Sequence, residues 1–92
     1  MKITIQCFAQ LARAAGASDH VQELDEGATA QDALRAFSES TTAEARALLF
    51  AETGELQPTI LLFLNDEPIL WSEAAPASDD ASLFVATPIA GG

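Results

Sequence analysis

Little in this chain of 92 residues is equipped to do chemistry by itself. There is one cysteine, Cys7, so no internal disulfide can form. There is one histidine, His20, so a His-rich metal site is excluded and a zinc cluster lacks its thiolates. Basic side chains are scarce as well: Lys2, Arg13, Arg35 and Arg46 stand against fourteen carboxylates, a formal net charge of −10. Phosphate backbones are bound by basic surfaces, so this balance argues against nucleic acid as a partner and favours encounter with a basic protein. No apolar run approaches the roughly 18 residues of a membrane span. The opening Met1-Lys2-Ile3-Thr4-Ile5 has no signal-peptide pattern. Gly16, Gly27 and Gly54 lie too far apart to cradle a phosphate. These absences predict a cytoplasmic protein, associated with neither membrane nor nucleic acid, that holds no metal and no cofactor of its own.

What is present is a folding composition, 49% hydrophobic, sized for one domain and one core. Lys2 to Phe8 alternates with Ile3, Ile5 and Cys7 on one side, the period of a strand. Phe8 to Ala15 switches to helical spacing through Leu11, Ala12 and Ala15, and Gly16 can end that helix. A weaker strand is predicted over His20 to Leu24, then a turn at Asp25-Glu26-Gly27. Thr29 and Asp32 have the spacing of a capping box for a helix from Ala30 to about Ser38, with Ala30, Ala33, Leu34 and Phe37 inward. Thr41-x-x-Glu44 predicts a second, shorter helix with Ala45, Leu48 and Leu49 inward. After Gly54 and Pro58, the apolar run Thr59 to Leu64 reads as a strand buried on both faces. Asn65-Asp66-Glu67-Pro68 is turn chemistry, followed by a short return strand Ile69-Leu70-Trp71, a surface connection from Ser72 to Asp80, and a last strand from Ser82 to Thr87. The alternation describes an α+β fold: a mixed sheet packed on one main helix with an additional short helix. The first and last strands are expected side by side at its centre.

Few side chains are reactive candidates. Cys7 shares a strand face with Ile3 and Ile5 and reads as a buried small apolar residue, not a nucleophile. His20 sits among polar residues and reads as a solvated surface side chain. Asp79-Asp80 reads as a turn before the last strand. Trp71 is either an interface anchor or a cap on the core. With these set aside, one group stands out, the carboxylate of Gly92. The ending Thr87-Pro88-Ile89-Ala90-Gly91-Gly92 is a strand exit, a stiffening proline and two residues without a Cβ, able to enter a narrow slot.

That ending resembles the ubiquitin-like sulfur carriers. Phe8-Ala9-Gln10-Leu11-Ala12-Arg13-Ala14-Ala15-Gly16, Gln31-Asp32-Ala33-Leu34 and Phe63-Leu64-Asn65-Asp66-Glu67 are similar to the small subunit of molybdopterin synthase. The stretch from Ser38 to Pro58 is longer than in compact members, and with Glu55-Leu56-Gln57-Pro58 it resembles cysteine-biosynthesis carriers and archaeal-type protein modifiers. The resemblance implies a ubiquitin-like β-grasp fold spanning 1–92, with a flexible tail over 88–92. It implies that an E1-like adenylating enzyme, using ATP and a sulfur donor, converts Gly92 to a thiocarboxylate. In molybdopterin biosynthesis the tail would then insert into the synthase large subunit and donate sulfur to the pterin precursor; otherwise the sulfur would pass to another acceptor enzyme. Gly91, Ala90, Ile89 and Pro88 would lie in the partner's channel, with Phe84 and Phe63 on the partner-facing surface. Thiamine carriage, conjugation of Gly92 to other proteins, and a non-catalytic β-grasp binding module are the other readings.

Overall fold

The computed structural model describes residues 1–86. Eight elements follow in order: β1 (Lys2–Cys7), α1 (Ala9–Ala15), β2 (Asp19–Glu23), α2 (Ala30–Ser40), α3 (Ala43–Leu49), β3 (Leu61–Leu64), β4 (Glu67–Ile69) and β5 (Ala81–Ala86). The strands form one mixed sheet in the order β2-β1-β5-β3-β4. β1 and β5 run parallel side by side, as expected for the first and last strands, and the other pairings are antiparallel. Thr87, the end of the expected last strand, and the tail 88–92 lie outside the described residues.

Each element has a local cause. α1 ends where Gly16 takes φ +91° and donates its N–H to the Ala12 carbonyl at 3.0 Å, a left-handed cap that favours glycine. α2 opens with the expected box: the Thr29 N–H donates to Asp32 Oδ2 at 2.9 Å, and the Asp32 N–H to Thr29 Oγ1 at 3.1 Å. Its stripe of Ala30, Ala33, Leu34 and Phe37 is buried against the sheet. The β3–β4 turn places Asn65 and Asp66 at φ +49° and +70°, the two-residue geometry that matches strand twist. Asn65 also binds β5, donating its N–H to the Ser82 carbonyl and accepting the Ser82 N–H at Oδ1.

Three expectations need correction. The cap of α3 is Thr42, not Thr41: Thr41 serves as the C-cap of α2, its N–H going to the Phe37 carbonyl. Thr42 Oγ1 accepts from the Ala45 N–H at 3.1 Å and donates to the Ala14 carbonyl at 2.8 Å, tying α3 to α1. The run Thr59 to Leu64 is not buried on both faces. β3 covers only Leu61–Leu64, and Leu61 is 59% exposed while Leu62 is buried. The cause is one-sided packing, since the buried residues of β1, β3 and β5 all lie on the alternate positions that meet α2 and α3. The return strand is Glu67–Ile69, so Leu70 and Trp71 fall beyond it. Here the backbone turns away to satisfy Gln31, whose Nε2 donates to the Leu70 and Glu73 carbonyls and whose Oε1 accepts from the Ala75 N–H.

The packed core comprises Ile3, Ile5, Leu11, Leu34, Phe37, Leu49, Leu83 and Val85, with smaller neighbours. Against it works the self-repulsion of a surface with net charge −10. Screening lengths fall from about 10 Å at 0.1 M salt to about 3 Å at 1 M, so added salt relieves this repulsion while leaving the core intact. Thermal unfolding followed by circular dichroism is expected to show Tm rising between about 0.1 and 1 M KCl. Each 1 kcal/mol relieved corresponds to about 4–8 °C in a domain of this size. A flat or falling Tm would mean that carboxylate repulsion does not limit stability.

Candidate functional site

Among the described residues, helices pack on one face of the sheet only, and none covers the other. The register aligns side chains across it: Gln6 pairs with Phe84, Phe84 with Phe63, and Phe63 with Pro68. All four occupy strand positions alternate to the buried ones. The Phe63 and Phe84 rings meet edge to face, with centroids 5.8 Å apart and planes at 88°. Phe8 then stacks on Phe84 at 4.2 Å and 28°, giving a three-ring cluster. Phe8 remains 46% exposed, and Leu61 extends the apolar surface beside it. A shallow cavity of about 250 Å³ lies between Phe63, Phe84 and Asp66.

Of the site residues expected from sequence, Phe63 and Phe84 are therefore brought together on one exposed face. Pro88, Ile89, Ala90, Gly91 and Gly92 lie outside the described residues. Phe8 belongs to the cluster but was not singled out. Its signal was available: Ile3, Ile5 and Cys7 set the inward phase of β1, which leaves Phe8 in the outward phase, where a large aromatic is unexpected. β5 reaches the same end of the sheet. Its last described residue, Ala86, pairs with Leu61, two positions beyond the Phe84–Phe63 step and on the same face. The described part of β5 thus ends on the face that carries the rings.

The remaining candidates resolve differently. Cys7 is buried, its backbone N–H bonded to the Ser18 carbonyl. Burial, with a smaller contribution from Asp19, pushes its thiol from an ordinary 9.0 up to about 11. His20 is not the solvated side chain expected: it is half-buried, its ring 4.8 Å from that of Phe37 and its Nε2 2.8 Å from the Ala17 carbonyl. Trp71 caps the helical side of the core, under the Arg35 guanidinium and edge-on to Phe50. Asp79 and Asp80 form the expected turn, Asp79 Oδ1 accepting the Lys2 N–H and Asp80 donating its own N–H to the Lys2 carbonyl. Among the described residues no group of three or more His, Cys, Asp or Glu could hold a metal ion, and no helix is long and apolar enough to cross a membrane.

A mixed five-stranded sheet grasping one long helix, with an exposed aromatic face beside its C-terminal strand, defines a ubiquitin-like β-grasp protein. No family model and no curated protein matches the sequence. Among solved structures, SAMP1 of Haloferax volcanii superposes with a TM-score of 0.88 at 28% identity, each chain covered in full. A second crystal structure, of the small archaeal modifier protein 1 of H. volcanii, gives 0.77 at 31% identity, covering 96% of this chain and 98% of that one. A Pyrococcus furiosus protein described as subunit 1 of a molybdopterin converting factor gives 0.70 at 19%, covering 97% and 99%. The chain belongs to the family of small archaeal modifiers and ubiquitin-like sulfur carriers.

A thiol held protonated to about pH 11 is a poor nucleophile. At pH 8 the native protein is expected to leave Cys7 unmodified by Ellman's reagent, with full reaction on unfolding. Because the folded value is raised, the stability contributed by the buried thiol is fully present below about pH 9. It is lost as pH rises towards about 11. Rapid labelling of the folded chain at pH 8 would contradict this account.

Proposed function

We propose that the chain is a carrier whose working group is the carboxylate of Gly92, activated and used by other proteins. A carboxylate does not react with sulfur or amines until its oxygen becomes a leaving group. An E1-like enzyme supplies this by letting the carboxylate attack the α-phosphate of ATP, which releases pyrophosphate and leaves an acyl-adenylate. A sulfide equivalent or an amine then displaces AMP, giving a thiocarboxylate in the first case and an amide in the second. Gly91 and Gly92 offer no side chain to obstruct a narrow active site. Ala90, Ile89 and Pro88 precede them in the sequence.

The observation carrying this reading is the 31% identity to a small archaeal modifier protein 1 across nearly the whole of both chains. The aromatic face adds to it. Phe8, Phe63 and Phe84 form a compact apolar patch beside the strand that leads into the tail, placed to dock a partner while the tail enters its active site. For the fate of the activated carboxyl, sulfur donation towards molybdopterin, through a synthase large subunit, is one branch, and transfer to another acceptor enzyme is its variant. Conjugation to proteins is the other branch, and the identity to an archaeal modifier favours it. In that branch Lys2 is the one lysine through which copies could be joined to each other.

Intact-mass analysis of the protein from its native cell separates these branches. One oxygen replaced by sulfur establishes sulfur carriage, and isopeptide adducts of Gly92 on other proteins establish modification. Deleting Gly92 is expected to abolish both, and an unaffected deletion variant would leave a non-catalytic binding module instead. The docking role of the face is tested separately. Phe8→Ser is expected to weaken binding to the adenylating enzyme about tenfold or more, with little change in Tm, because the ring is half exposed and outside the core. Unchanged affinity would remove Phe8 from the interface.

A further inference from the structure

The long stretch from Ser38 to Pro58 supplies no residue to the aromatic cluster. It folds as the end of α2, all of α3, and a turn closed by the Phe50–Leu56 bridge and a 2.8 Å bond from the Ala51 N–H to the Glu55 carbonyl. Between α2, α3 and this turn, on the helical side of the sheet, lies a cavity of about 480 Å³. Ala47 and Phe50 supply apolar wall, Arg35 and Arg46 supply positive charge, and Glu39 and Glu52 supply negative charge.

Two of the four basic side chains in a chain of net charge −10 therefore converge on one cavity. Both guanidinium groups are held. Arg46 donates from Nε to the Ser38 carbonyl at 2.8 Å, which leaves its two terminal nitrogens to bind a ligand. Arg35 lies 4.9 Å from the centre of the Trp71 ring, and Trp71 is braced edge-on by Phe50 at 5.5 Å. A planar fork fixed in advance suits a carboxylate, since little side-chain freedom is lost on binding. The two glutamates set the charge of the ligand. Against two positive and two negative groups, a monoanion is accommodated where a dianionic phosphate would be repelled.

We propose that this cavity is a second binding site, taking the carboxylate of an acidic residue in a partner's peptide segment, with a neighbouring apolar side chain seated on Ala47 and Phe50. The volume lies within the range of about 300–1,000 Å³ typical of ligand sites. Elsewhere the surface charge repels an acidic peptide, which restricts it to this position. The site lies on the helical side of the sheet and is independent of any reaction at Gly92.

Titration of the full ¹⁵N-labelled chain with the end-blocked peptide Leu-Glu-Leu, read by amide chemical shifts, tests the proposal. Saturable shifts are expected in the second half of α2, in α3 and at Phe50 and Ala51, while the amides of Phe63 and Phe84 stay in place. The Leu-Gln-Leu peptide and inorganic phosphate are expected to bind about tenfold more weakly or worse, as the loss of one charge-assisted pair predicts. Arg46→Gln is expected to raise Kd by about tenfold or more. Because that change also removes the bond to Ser38, Ala47→Glu serves as the second variant: it is compatible with a helix and places a competing carboxylate in the cavity. It is expected to abolish the shifts with the melting curve unchanged. Absence of saturable shifts up to about 10 mM peptide would overturn the proposal. So would an equal response to the Gln peptide, tighter binding of phosphate, or shifts on the sheet face. Butyrate binding as tightly as the peptide would reassign the site to small organic acids.

Discussion

The parallel pairing of β1 with β5 is the constraint on which the rest of the molecule depends. It joins residues about eighty positions apart, and its register, Ile3 with Ala81 through Cys7 with Val85, sets which side chains are buried. A slip of one residue would turn Leu83 and Val85 outward and drive Phe84 into the core. The pairing is latched at its start by Asp79 and Asp80, which bond both backbone groups of Lys2. At its other end it brings β5 out beside Phe8. One alignment thus determines the core, the exposed face and where the described part of β5 ends.

The second organising feature is that helices cover only one side of this sheet. α2 is fixed at its start, by its capping box and by Gln31, a buried amide that clamps four backbone groups of the Leu70–Ala75 segment. Four such bonds to one side chain are worth a few kcal/mol at most. Their effect is chiefly positional, since leaving those groups unpaired would cost more than forming the bonds gains. The open side has no such cover, which is why its aromatic rings pack on one another instead. Phe8 on Phe84 and Phe84 on Phe63 bury part of each ring and present the remainder as a continuous surface.

Much of this was legible in the sequence wherever the determinant was local. Thr29 with Asp32, and Gly16, each act through neighbours within four residues, and the Ala30–Phe37 stripe follows helical spacing; all three are present as expected. Of the turn expected over Asn65-Asp66-Glu67-Pro68, only Asn65 and Asp66 turn, because Glu67 and Pro68 pair with β3. The failures were decisions made by tertiary packing. Thr41 and Thr42 are equally good caps by type, and the choice went to Thr42 because its hydroxyl also reaches the Ala14 carbonyl. Leu61 looked like core because Ile60 and Leu62 are core, yet period-two geometry on a one-sided sheet places it outward. His20 looked solvated because its sequence neighbours are polar, but from an edge strand its ring reaches Phe37 on α2. Two of the three clustered rings, Phe63 and Phe84, are among the partner-facing residues that the sequence resemblance implies. Phe8 stands at both the end of the predicted strand and the start of the predicted helix, and its partner Phe84 is 76 residues away, so its place in the cluster is not a local signal.

Charge and apolar area have separate duties at such a face, and the composition indicates which dominates. Asp66 lies beside the rings, and Asp19 pairs with Gln6 in the adjoining position, so the aromatic centre has acidic residues at its edge. This is the arrangement of an interface with an apolar core and a polar rim. Carboxylates at the rim would orient a basic partner and raise its rate of encounter, an effect that reaches only about a Debye length. In the high salt that relieves the self-repulsion of a chain with net charge −10, that length shrinks to about 3 Å and steering is nearly lost. Burial of aromatic surface is not screened. In the docking we propose, a protein this acidic, with so few basic residues to form ion pairs of its own, would hold its partner chiefly through Phe8, Phe63 and Phe84. The acidic surroundings would then act by excluding wrong partners more than by tightening the right one.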